Sequence, residues 1–186
     1  MTNGMKLDLE SLLITVPTSK TLGEVEQFLC KSKLSLRFVP EKGPKNPTLK
    51  KILSEAIPNL YALRYGEIED MCLSVTVKTS WGEIHTKSVP RSATGSDLKK
   101  IFMGSRGKYG DIVEAMLRIV PLPEKTKKIS LKFQSQKKQK YFLRTLWAHG
   151  IRPSRLKKLK NTLILELEGL SEVVGAELRL INEVMR

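Results

Sequence analysis

Negative charge is missing from one stretch of this 186-residue chain. Residues 125–160 hold 13 Lys or Arg and not one Asp or Glu. The formal net charge is +14, so the other 150 residues sum to only +1. Cysteine is scarce as well. Cys30 and Cys72 are the only two, and far apart in sequence they form no paired-cysteine metal site. Both fall in apolar periodic segments and are expected to be buried free thiols. His85 and His149 stand alone, so neither a metal set nor a Ser-His-Asp or Cys-His order can be drawn. No apolar run approaches the roughly 18 residues of a membrane span, so none is expected. The first ten residues are polar and lack the apolar core of a secretory signal; a cytoplasmic location is the expectation. There is no internal repeat and no low-complexity tract. What is present is a 40% hydrophobic content, enough for a packed core.

The periodicity predicts an α+β chain. Leu12–Val16 reads as a strand closed by Pro17. Thr21 and Glu24 form a capping box ahead of Leu22, Val25, Phe28 and Leu29, which share one face of a helix over 22–31. Leu36–Val39 reads as a strand. A proline-rich turn follows, and Asn46 with Pro47 reads as the start of a helix running to Ile57. Cys72–Lys78 alternates like a half-buried strand, turns at Trp81-Gly82 and returns over 83–87. A helix from Gly95 or Ser96 through Phe102 leads into Gly104, Gly107 and Gly110, then a strand over 112–120. After Pro121 and Pro123 the order is strand (129–133), helix (136–149), strand (162–167) and helix (171–185). That is half of a ferredoxin-like unit.

One stretch carries a more specific signal. Arg91-Ser92-Ala93-Thr94-Gly95-Ser96-Asp97-Leu98 runs into Phe102-Met103-Gly104-Ser105-Arg106-Gly107-Lys108-Tyr109-Gly110. Next come Asp111-Ile112-Val113-Glu114-Ala115-Met116-Leu117-Arg118-Ile119 and Pro121-Leu122-Pro123. Over more than thirty residues this resembles the FAD-linked oxidase family of the glycolate-oxidase and alkyl-glycerone-phosphate-synthase type. In that family a Thr-Gly-x-Asp-Leu helix enters Gly-Ser-Glu-Gly-Thr-Leu-Gly, followed by Ile-x-Thr-Glu-Ala-Thr-Leu-Arg and Pro-x-Pro. Leu13–Glu26, the segment closed by Leu63-Arg64-Tyr65-Gly66, and 129–168 resemble the same family.

The resemblance implies the second subdomain of a PCMH-type FAD-binding domain over 1–124, an antiparallel sheet with helices. It implies a partial, ferredoxin-like cap over 125–186. It implies FAD as cofactor, lined by Arg106, Gly107, Lys108, Tyr109, Gly110, Asp111 and Ile112 chiefly through backbone groups, with Glu55, Ala56, Ile57 and Pro58 beside it. No catalytic residue and no metal ligand is carried over. The departures matter too. The family's N-terminal pyrophosphate loop and later cap have no counterpart, Lys50 and Lys51 stand for paired glycines, and Arg106 stands for a Glu. A truncated, partner-dependent subunit of a 2-hydroxy-acid oxidoreductase is therefore expected rather than an independent enzyme. A non-catalytic interaction module that lost its flavin is the alternative.

The basic stretch points to an anionic partner, foremost another protein subunit with an acidic surface and, second, nucleic acid. Tyr141, Phe142 and Trp147 lie among the cations as stacking platforms would. Their near-helical spacing places all three in the core instead. Exposed charges are screened within about 10 Å at 0.1 M salt. Association with an acidic partner is therefore expected to be strongly salt-dependent. Reversing Lys137, Lys138 and Lys140 to Glu should slow it in stopped-flow measurements while the circular dichroism spectrum stays unchanged.

Overall fold

The structure is a computed structural model and describes residues 4–87 and 97–185. The expected helix start at Gly95 or Ser96, and with it Arg91–Ser96 of the family-like stretch, lies outside the described residues. The chain divides into two compact units, Met1–Asn59 with Gly66–Pro121, and Leu60–Tyr65 with Leu122–Arg186.

The first unit is built on a five-stranded antiparallel sheet in the order β1-β2-β6-β4-β5, from β1 (Lys6–Asp8), β2 (Leu13–Pro17), β4 (Cys72–Thr79), β5 (Gly82–His85) and β6 (Asp111–Arg118). Between β2 and β4 come α1 (Leu22–Cys30), β3 (Leu34–Ser35), α2 (Leu49–Glu55) and α4 (Ile68–Met71); α5 (Lys99–Phe102) precedes β6. Strand β3 pairs with β7 (Val120–Pro121). Ile14 and Val16 of β2, Val75 and Val77 of β4, and Ala115 and Leu117 of β6 meet Val25 and Leu29 of α1 and Ile52 and Leu53 of α2 in one buried cluster. Each aliphatic side chain taken out of water there is worth about 1.5–3 kcal/mol.

Local chemistry explains several boundaries. The Thr21–Glu24 capping box forms as the spacing predicts. The backbone N–H of Thr21, then the Lys20 ammonium, holds the Glu24 carboxyl down to about 2. The start of α2 differs from expectation. Thr48, not Asn46, is the cap, accepting the Lys51 N–H. Asn46 Oδ1 instead accepts the Gly23 N–H at 2.7 Å, which ties the proline-rich turn to the start of α1. Residues 36–39 do not form the expected strand; the pairing falls two residues earlier, in β3.

Cys30 corrects a second expectation. It is exposed, whereas Cys72 is buried. Leu22, Val25 and Leu29 define the inner face of α1, and one further residue, a rotation of about 100°, carries Cys30 out to solvent. Burial pushes the Cys72 thiol up to about 12, against the opposing pull of the Lys99 cation. Lys99 is itself buried and donates to the Cys72 carbonyl at 2.7 Å.

The second unit holds α3 (Ala62–Tyr65), β8 (Lys125–Lys132), α6 (Gln136–Ala148), β9 (Arg155–Leu159), β10 (Thr162–Gly169) and α7 (Ser171–Met185). Its sheet order is β8-β10-β9, with β10 antiparallel to both neighbours. This is the split β-α-β arrangement with one strand more than expected. Leu163, Leu165 and Leu167 of β10 are fully buried with Phe142 and Leu146 of α6 and Val174 and Ile181 of α7. The extra strand, Arg-Leu-Lys-Lys-Leu, escapes sequence reading because an edge strand carrying lysines lacks the apolar alternation of a central one. The aromatic residues of α6 correct a third expectation. Phe142 is core, but Tyr141 is 71% exposed and Trp147 41% exposed.

Two outcomes follow from these positions. A thiol-titrating reagent at neutral pH should modify one cysteine of the native protein quickly, with the second reacting only after unfolding. Gly110, immediately before β6, has φ +142°, and a Cβ there would stand 2.7 Å from the Lys78 carbonyl oxygen and 2.8 Å from Val77 Cγ1. Gly110→Ala should therefore destabilise the protein by about 2 kcal/mol or more in chemical denaturation. At Gly107 an added Cβ has only Asp111 Oδ1 within 4 Å, at 3.8 Å, so Gly107→Ala should cost about 1 kcal/mol from backbone strain alone.

Candidate functional site

In the first unit the glycine-rich loop that leads into 106–112 is bonded to the last turn of α2, which leads into 55–58. Helix α2 ends in a left-handed Ala56 (φ 46°), whose N–H donates to Ile52 and Leu53. A helix leaves its last carbonyls without intrahelical partners. Here the glycine-rich loop supplies them: the Gly104 N–H donates to Leu53 O at 3.0 Å, and the Arg106 N–H donates to Ser54 O at 2.8 Å. The ammonium of Lys50 meets Asp111 Oδ1 at 2.8 Å. Both partners of that pair are about half exposed, so water screens it to at most about 1 kcal/mol.

The loop turns through two consecutive left-handed residues, Arg106 (φ 55°) and Gly107 (φ 79°). The Lys108 N–H donates to Ser105 O and the Gly110 N–H to Gly107 O. The N–H groups of Gly107 and Tyr109 have no partner among the described residues. Turn amides left without a partner beside cationic side chains are groups that an anion can meet. Arg106, Gly107, Lys108, Tyr109 and Asp111 are all exposed. The Lys108 ammonium lies 5.5 Å from the centre of the Tyr109 ring, within cation–π range.

The remaining candidates divide by burial. Glu55 is exposed and 3.9 Å from Lys51. Pro58 is exposed, and its carbonyl accepts the Glu41 N–H. Ala56 and Gly110 are half-buried, and the side chains of Ile57 and Ile112 belong to the core. Any ligand at these two positions could meet only their backbone.

Beside the loop lies an open groove of about 600 Å³, whose walls include Lys78, Trp81, Ile101, Lys108 and Tyr109. Sequence reading missed Lys78, Trp81 and Ile101 as lining residues. The available signal was Trp81 itself, a large aromatic ring at a hairpin turn, where it is 93% exposed. Among the described residues no group of three or more His, Cys, Asp or Glu could hold a metal, and no helix is long and apolar enough to cross a membrane.

No protein-family model matches the chain. Over 163 residues it is 22% identical to a D-lactate dehydrogenase of Anaerostipes hadrus, covering 87% of this chain and 34% of that protein. Over 149 residues it is 26% identical to the glycolate oxidase subunit GlcD of Bacillus subtilis, covering 74% and 32%. A solved structure of alkyldihydroxyacetonephosphate synthase shares its fold, with a TM-score of 0.82 and 20% identity over 97% of this chain and 39% of that one. The chain thus spans about one third of the length of the curated relatives first matched. Across most of its length the chain is thus similar in sequence to FAD-linked oxidases, and it shares its fold with a solved alkyldihydroxyacetonephosphate synthase.

Proposed function

We propose that the first unit is the second subdomain of a PCMH-type FAD-binding domain and the second a partial ferredoxin-like cap. On this reading the chain is an accessory, partner-dependent flavoprotein subunit of a 2-hydroxy-acid oxidoreductase in the cytoplasm. The observation that carries the proposal is the pair of hydrogen bonds from Gly104 and Arg106 to the end of α2. They hold the loop that leads into 106–112 against the helix that leads into 55–58, the two segments that the family resemblance assigns to the flavin nucleotide. The partner would supply the rest of the cradle, and its complementary surface would be acidic because this chain carries a net charge of +14.

The residues fit a dinucleotide in part. The amides of Gly107 and Tyr109 and the cations of Arg106 and Lys108 can meet its diphosphate, and the groove wall of Trp81 and Tyr109 offers ring faces. Lys50 and Lys51 fill space that paired glycines leave open in the family, so the approach at the start of α2 is narrower. FAD, when bound, supplies hydride acceptance. This chain's part is to bind and orient. Asp111, held by Lys50, fixes the loop against α2. A second reading is favoured by the Lys50–Asp111 pair and by the loop amides of Arg106, Lys108 and Gly110, which are already satisfied internally. In that reading the fold persists as an interaction module without flavin.

Equilibrium dialysis against FAD and against riboflavin distinguishes the two. FAD uptake by the chain, alone or with its binding partner, is expected. The double variant Arg106→Gln, Lys108→Gln should weaken it at least tenfold while riboflavin uptake, which needs no diphosphate contact, stays unchanged. Charge-assisted contacts of this kind are worth about 1.5–3 kcal/mol each. No FAD uptake in either setting would leave the interaction module as the function.

A further inference from the structure

Tyr141 and Trp147 expose ring surface on a helix from which their spacing should have withdrawn them. At about 100° per residue, Lys137, Lys140, Tyr141, Arg144 and Trp147 fall within about 120° of arc on α6. All five are exposed, and Gln139, Phe142 and Leu146 occupy the opposite, buried face. The stripe thus alternates cations with aromatic rings and contains no acid. A face kept merely for solubility mixes both signs of charge and spends no large aromatic residues. Blunting a sheet edge explains the lysines of β9 but not a helix face.

We propose that this face of α6 is a binding surface for single-stranded nucleic acid, with Tyr141 and Trp147 as stacking platforms and Lys137, Lys140 and Arg144 as phosphate contacts. The rings are six residues apart, about 9 Å along the helix axis. In a duplex every base face is covered by its neighbour at about 3.4 Å; only a single strand has faces to offer at a wider and adjustable spacing. Two lysines and one arginine suit phosphate attraction rather than base readout, so the surface selects strandedness and not sequence. An acidic protein would satisfy the cations alone. It would need pockets shaped for two projecting rings, whereas every base presents a ring face at any register. The proposal assigns only the α6 face; the cations of β8 and β9 remain for an acidic partner subunit, and the flavin reading of the first unit does not depend on it.

Fluorescence anisotropy with labelled oligothymidylate and oligouridylate tests it on the full chain. Both should bind, the duplex of equal length more weakly. Affinity should drop about 20-fold on a fourfold rise in salt, from a slope of roughly −0.7 per neutralised phosphate for three cations. Tyr141→Ala and Trp147→Ala should each weaken binding about tenfold with the salt slope unchanged. Lys137→Ala with Arg144→Ala should flatten the slope. With Trp81→Phe leaving Trp147 as the only indole, its emission should be quenched by the oligonucleotide. All these positions are exposed, so circular dichroism should be unaltered. No binding would overturn the proposal. So would aromatic variants that bind like the wild type, or polyglutamate competing equally well; either marks a surface for acidic proteins.

Discussion

The end of α2 is where the first unit is decided. Its carbonyls at Leu53 and Ser54 lie in the last turn, where the helix itself runs out of donors, and the amides of Gly104 and Arg106 meet them. That requirement fixes where the loop passes, and with it where β6 begins. The loop can reach Ser54 only if Arg106 and Gly107 adopt left-handed backbone, and it can re-enter the sheet only if Gly110 has no side chain to strike the Lys78 carbonyl. The exposed amides of Gly107 and Tyr109 are left over from this arrangement. Any affinity for an anion is therefore a by-product of how the helix terminus is satisfied. A backbone unit of this kind can outlast the loss of ligand side chains, because it serves the fold as well.

How much of this could be read in advance varies with the kind of signal. The capping box at Thr21 and Glu24 was legible because both partners sit at a fixed spacing within one turn. The glycine-rich loop was legible through the family pattern over 91–123, but the bond that anchors it, from Arg106 to Ser54, was not, because a backbone carbonyl carries no sequence signal. Asn46 misled because a good capping residue before a proline was drawn into a long-range bond to Gly23, which no local rule registers. Cys30 misled by a single step of helical rotation. Strand β9 was invisible because its pairing with β10 is made by backbone, and its side chains are those of an edge.

Tyr141 and Trp147 illustrate a different limit. Helical periodicity says that residues share a face; it does not say which face turns inward when the helix is polar over most of its surface. Phe142 settled that for α6 by packing against Phe133 in a tilted pair, their ring centres 5.3 Å apart. Once Phe142 and Leu146 point inward, Tyr141 and Trp147 are carried outward by geometry.

The three-stranded sheet of the second unit has two outer strands, and both are cationic. β8 carries Lys125, Lys127, Lys128 and Lys132; β9 carries Arg155, Lys157 and Lys158. Each leaves one row of backbone donors and acceptors unpaired within the sheet, a template on which another copy could add a strand. Like charges would then face each other across the seam. The protection is electrostatic and so depends on solvent. It is strong in dilute buffer, and in concentrated salt, where screening shortens to about 3 Å at 1 M, the same two edges become the places where copies of this chain would begin to associate.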